Sequence, residues 1–243
     1  MINFRIGCSG YHYPEWKGIF YPLDLPKGKW FEHYCQHFNT IELNVTFYKF
    51  PRVEFLRRWH DRSPDDFTFS VKAPRVITHF KKLNDSEKYL RDFYGALQGG
   101  LREKTGCVLF QFPAQFEFDD DNFERIVEML NPGFRNVVEF RHSSWWSDRV
   151  FETLRSRKII FSGMSHPSLP DAVVLTAPTL YYRFHGVPHL YISNYVAGDL
   201  EAVAQRVFGN PAVRDAYIFF NNTMEGAALQ NAKDFQNIVQ LVH

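Results

Sequence analysis

Short apolar segments carry polar residues on one face and alternate with stretches of helical spacing, and this combination constrains the fold more than anything else in the chain. In TIELNVT, Glu42, Asn44 and Thr46 share one face while Ile41, Leu43 and Val45 share the other. NVVEFRH sets Glu139 and Arg141 on the face of Val137, and LYYRFHG sets Arg183 and His185 on the face of Tyr181. SVKAP adds Lys72, VLFQFP adds Gln111 and IFFNNT adds Asn221. Successive strand residues point to opposite faces, so each segment has one apolar and one polar face. A surface antiparallel sheet gives the same alternation. The intervening helical pattern favours instead a parallel sheet with its outer face covered. The polar groups then look into an enclosed interior, where unpaired charge is costly.

Eight strands are expected, near 4–9, 40–48, 67–73, 107–112, 136–141, 158–162, 180–185 and 216–221. Helical stripes separate most of them. KGKWFEHYCQHF spaces Trp30, Phe31, Tyr34 and Phe38 along one side, and PRVEFLRRWHDR does so with Phe55, Leu56 and Trp59. Strand alternating with helix implies right-handed crossovers and parallel pairing. Eight such units in 243 residues predict a closed (β/α)8 TIM barrel, an α/β fold, spanning 1–243 as one domain. The connection from the sixth to the seventh strand, SGMSHPSLPDAVVLTAPTL, holds three prolines and no helical stripe, so it should be irregular, with a short extra strand at AVVLT.

Bulk properties narrow the function. The formal net charge is +1, so no broad attraction to nucleic acid or to an anionic membrane follows. Three cysteines, odd in number and widely spaced, argue against a disulfide framework or thiolate zinc site and fit a reducing compartment. The N-terminus has no leader pattern and no apolar run is long enough to span a bilayer, so a cytoplasmic, membrane-free protein is expected.

Seven motifs occur in order along nearly the whole chain: GCSGYHYPEWKGIFYP, IELNVTFYKFP, FSVKAPRVITH, VLFQFP, VEFRHSSWW, YYRFHG and FFNNTMEGAALQNA. Together they resemble the YecE-like family, known as domain of unknown function 72. The resemblance implies a TIM barrel and no established activity. Tyr11 and His12 stand where that family more often has Trp and a small neutral residue, so no role transfers to them.

Barrels of this class work at the C-terminal ends of their strands. Asn44, Lys72, Gln111, Arg141, His185 and Asn221 fall near that end, with Ser9, Thr46, His142, Ser162 and Asn222 beside them, and Glu42, Glu139 and Arg183 one layer deeper. An ion pair between Glu139 and Arg141 has a purely structural reading, since Arg matches a carboxylate as a planar fork. The full set exceeds what a packed core requires. Its cations outweigh its carboxylates, which predicts a pocket for a small anionic ligand bearing phosphate or carboxylate. Asn44, Lys72, Gln111, Glu139, Arg141, Arg183 and Asn221 are the expected substrate-binding residues. His185 is the expected general acid–base group, because an unperturbed imidazole titrates near neutrality, and Glu42 is the alternative base.

The segment after the eighth strand admits either a phosphate site on its helix N-terminus or a capping box of Asn222 with Glu225. Glu42 and Glu139 could also serve as a glycosidase pair. Nucleic acid on the cationic mouth, stacked on the rim aromatics Trp16, Tyr48, Trp145, Trp146 and Tyr191, is a less favoured partner. Non-catalytic ligand binding also fits. No cofactor is called for, and a metal on His79, His142, His185, Glu42 and Glu139 is disfavoured because the neighbouring Lys and Arg repel a cation.

Overall fold

A computed structural model of the chain describes residues 1–241. Its strands are β1 (Asn3–Cys8), β2 (Thr40–Leu43), β3 (Thr68–Lys72), β4 (Thr105–Gln111), β5 (Asn136–Glu139), β6 (Ile160–Ser165), β7 (Thr179–Phe184) and β8 (Asp215–Phe220). All pairing is parallel, in the order β1-β8-β7-β6-β5-β4-β3-β2. The helices are α1 (Trp30–Cys35), α2 (Val45–Tyr48), α3 (Val53–Arg62), α4 (Glu87–Gly100), α5 (Asp120–Met129), α6 (Asp148–Ser156), α7 (Ala197–Phe208) and α8 (Ala227–Leu241). This is the (β/α)8 barrel that the alternation predicts.

Strand parity divides the core in two. Outward residues such as Ile41, Val71, Val108, Phe110, Val138, Phe161 and Ile218 join the helices in one large apolar cluster. Inward, Cys107, Leu109, Val137, Ile160, Tyr181, Tyr217 and Phe219 fill the barrel below its mouth. A buried Phe or Leu contributes about 1.5–3 kcal/mol, so both layers drive closure. Cys8, Cys35 and Cys107 are free thiols.

The seam between β1 and β2 closes differently from the other strand neighbours. The Tyr34 hydroxyl on α1 accepts from the Cys8 amide at 2.8 Å and donates to the Thr40 carbonyl at 3.0 Å. Gly7 is required there, because a Cβ would stand 2.3 Å from the Thr40 carbonyl oxygen.

Three expectations of local structure are corrected or extended. Strand β2 stops at Leu43, and residues 45–48 form the helical turn α2. The Thr46 hydroxyl donates to the carbonyls of Leu43 (3.0 Å) and Lys72 (2.6 Å), holding the turn against the ends of β2 and β3 despite a β-branched Val-Thr pair. Strand β6 extends to Ser165, three residues beyond the expected end. The β6–β7 connection has no helix, and Ala172 makes a single antiparallel bridge to Met164. Among the described residues no helix is long and apolar enough to cross a membrane.

Candidate functional site

The C-terminal ends of β2, β5 and β7 deliver a sealed charge cluster. Arg183, fully buried, donates from Nη2 to Glu42 Oε1 at 2.6 Å and from Nη1 to Glu139 Oε2 at 2.8 Å. The second oxygen of Glu42 accepts from the Tyr181 hydroxyl at 2.6 Å, which meets Ser70 Oγ at 2.7 Å. Glu139 Oε1 also accepts from Arg141 Nε at 2.7 Å. Burial alone would raise the Glu139 pKa, but the Arg141 and Arg183 guanidiniums outweigh it and hold that carboxyl well below the usual range.

His185 lies in the same cluster, fully buried. Its Nε2 is 3.1 Å from Arg141 Nη2, and Asn221 Nδ2 is 3.0 Å from its Nδ1. Burial, followed by the charges of Arg141 and Arg183, keeps its pKa well below the ordinary value. The imidazole is therefore neutral. Glu139 Oε2 also faces Nε2, at 3.6 Å, so both ring nitrogens are enclosed by polar groups of the cluster.

Above the cluster lies a mouth that solvent reaches. The Arg141 side chain keeps 12% of its surface exposed. Its Nε and Nη2 face Glu139 and His185, and among the described residues none accepts from its Nη1. Lys72, the last residue of β3, is half-buried with Nζ 4.4 Å from the centre of the Phe47 ring. Among the described residues no carboxylate or carbonyl partners that amine. Burial and, next, the Arg183 charge bring its pKa down to about 8, against the opposing pull of Glu139 and Glu42. Lys72 and Leu109 are register partners, as are Gln111 and Glu139, so these side chains share the interior. Gln111 turns its amide onto the Phe112 carbonyl at 2.5 Å.

Glu42, Glu139, Arg141, Arg183, His185 and Asn221 thus form one connected network with Lys72 beside it. Asn44 stands slightly apart. It precedes α2 and borders a groove of about 390 Å³ with Gly10, Tyr11, His12 and Trp59, and its Oδ1 has no hydrogen-bond partner among the described residues. Ser9 Oγ, at the end of β1, has none either.

Two further histidines belong at the mouth, His79 and His166, the second of which the sequence does not mark. His166 follows the extended β6 and meets the His185 ring edge-on at 5.8 Å. His79 lies on a π-helical turn, Val76–Phe80, and its ring packs edge-on to Phe47 at 4.8 Å. Burial first and then nearby cations take both down to about 4: Arg141 acts on His166, and Lys72 and Arg141 act on His79. The late end of β6 hides His166 from periodicity alone.

Several rim residues are packing groups. Trp16 is fully buried and donates to the Thr223 carbonyl at 2.9 Å. Trp145 is fully buried too, stacked 3.8 Å from Phe140 and donating to Phe116 O at 2.7 Å. Tyr48 and Tyr191 are exposed, and Trp146 is half-buried against Phe161. The capping box is not formed: the buried Asn222 side chain donates to Asn231 Oδ1 and to Ser193 O. Ile19 covers Gly226 at the start of the last helix, with 3.3 Å to the position of an added Cβ. Among the described residues no three His, Cys, Asp or Glu side chains gather as a cation site.

Comparison with known proteins agrees with this architecture. The family model described as protein of unknown function DUF72 matches residues 5–243. The chain belongs to the DUF72 family. UPF0759 protein YunF of Bacillus subtilis is 25% identical over 91% of this chain and 90% of its own length. UPF0759 protein YecE of Escherichia coli is 28% identical over 60% of this chain, and the match spans 54% of YecE. A crystal structure of a DUF72 family protein from Thermotoga maritima superimposes with a TM-score of 0.86 at 28% identity, covering 98% of this chain and 99% of that one. A DUF72 protein from Enterococcus faecalis shares the fold at a TM-score of 0.84 and 17% identity.

Proposed function

We propose that the mouth of this DUF72 barrel binds one small phosphate- or carboxylate-bearing molecule and acts on it as an enzyme. One observation carries the reading: three cations, Lys72, Arg141 and Arg183, stand against two carboxylates, and both carboxylates are committed to the guanidiniums. The surplus positive charge falls on Lys72, at the level solvent reaches. An anion between Lys72 and the free Nη1 of Arg141 neutralises it, and a guanidinium fork suits either oxyanion.

The division of labour follows burial. Glu42 and His185 are sealed below the mouth with their polar atoms engaged, so they act as positioning groups: Glu42 fixes Arg183, and neutral His185 fixes Arg141. Proton transfer at the substrate then falls to groups that reach it. Lys72 is the first of these, and His79 and His166, neutral at pH 7, are hydrogen-bond partners at the rim.

Titration calorimetry tests the reading, with inorganic phosphate and pyruvate against the uncharged molecules glycerol and acetamide. The anions should give saturable heats that Lys72→Met weakens by ten-fold or more, and the neutral molecules should give none. Equal affinity for charged and uncharged molecules, or an unchanged Lys72→Met, contradicts it.

A further inference from the structure

We infer that Lys72 is a nucleophile that condenses with the carbonyl carbon of a small anionic aldehyde or ketone, a 2-oxo acid being the simplest case, whose charged end rests on Arg141. The inference depends on the anion-binding reading above and adds the substrate class and the bond made.

Geometry separates Lys72 from the other cations of the mouth. Arg183 is engaged by Glu42 and Glu139, and Arg141 by Glu139 and His185. The Lys72 amine instead lies against the Phe47 ring at 4.4 Å, with no hydrogen-bond acceptor on its nitrogen among the described residues. An amine that serves only as a structural cation is ordinarily held by a carboxylate. This one sits on an apolar surface at the strand end where barrels do their chemistry, among other cations, and such an environment activates a lysine for addition to carbonyls. The depressed pKa, about 8, agrees. Roughly a tenth of the side chain is then the free amine at pH 7.

Lys72 and Arg141 rise from strands separated by β4, a backbone distance of roughly 10 Å. The proposal places a molecule with its carboxylate and carbonyl on adjacent carbons between these two long side chains. The neutral amine adds to the carbonyl carbon, forming the C–N bond while the C–O π pair moves to oxygen. That oxygen takes up the proton released by the ammonium and the one lost from the adding nitrogen, and leaves as water. The product is a protonated imine that keeps the positive charge of the original ammonium, so the charge balance with the substrate carboxylate is unchanged. No oxidant or reductant is consumed.

Reductive trapping tests this. The full chain is incubated at pH 7 with glyoxylate and sodium cyanoborohydride, whose hydride converts an imine into a stable secondary amine, and the adduct is located by peptide mass spectrometry. The expected result is a single carboxymethyl group on Lys72, formed at least ten-fold faster than on the exposed Lys88 and slowed by inorganic phosphate. Lys72→Arg, which preserves the cation, should bind phosphate and take no adduct at the mouth. Labelling of Lys72 no faster than Lys88, with phosphate binding intact, overturns the nucleophile and leaves the anion reading standing. Loss of both labelling selectivity and phosphate binding in the parent chain overturns both together.

Discussion

Arg183 lies between Glu42 and Glu139 with no solvent to share the charge, so its removal leaves two buried carboxylates, one of them wholly unpaired by a cation. Arg183→Met should therefore cost about 3–5 kcal/mol, read from denaturant midpoints, and this structural loss comes before any effect on a ligand. A cost under about 1 kcal/mol would show that the cluster tolerates unpaired charge. Lys72 has the opposite sign. Its folded pKa, about 8, lies below the ordinary 10.5, through burial and the cations Arg183 and Arg141, with Glu139 and Glu42 opposing and His79 facing it neutral. Between those two values the unfolded chain holds more protons, so stability rises with pH there, and below pH 8 the full burial cost is present. Lys72→Met should accordingly stabilise the protein at pH 7, on the order of 1 kcal/mol, with the gain fading towards pH 10. Thermal unfolding at the two pH values checks this, and destabilisation at pH 7 would contradict it. A residue that weakens the fold while serving the site is the expected trade between stability and activity.

Among the elements, the seam and two strand ends teach most. Tyr34→Phe removes the hydroxyl that bridges Cys8 N–H and Thr40 C=O, leaving two buried backbone groups without that partner. The expected loss is about 1–3 kcal/mol at an unchanged denaturant slope, and a loss within about 0.5 kcal/mol would mean that the seam closes by other contacts. Nothing in the sequence announces this bridge, because it joins a helix side chain to the backbones of two strands. The strand interiors were legible: the parity of Glu42, Glu139, Arg141, Arg183 and His185 puts them in one barrel, and they meet there. Strand ends were not. Val45 and Thr46 read as strand, yet the Thr46 hydroxyl stabilises a helical turn by capping Leu43 and Lys72 carbonyls. Gly163 and Met164 read as the start of the irregular connection, yet they continue β6, and that connection crosses over Gly163, where a Cβ would lie 2.4 Å from the Ala172 carbonyl oxygen. That misreading displaced His166 from the candidate site. The neutrality of His185 was equally hidden, because it comes from burial and two guanidiniums brought together only by barrel closure.

At the scale of the whole molecule the formal net charge is only +1, while at one end of the barrel axis Lys72, Arg141 and Arg183 meet two carboxylates, Glu42 and Glu139. Surface grooves lie elsewhere: one of about 520 Å³ beside α2 and α3 is lined by Lys49, Phe50, Arg52, Phe55 and Arg58, another of about 570 Å³ lies between α4 and α5, and Lys72 and Arg141 line neither. A partner attracted by general charge would use such surfaces, whereas a small anion that needs a partly enclosed cation would use the mouth. Anomalous diffraction from bromide-soaked crystals separates the two most directly. The account predicts that the strongest bromide peak lies between Lys72 Nζ and Arg141 Nη1 and disappears in Lys72→Met. Bromide on the outer grooves, with the mouth empty at the same occupancy threshold, would contradict it.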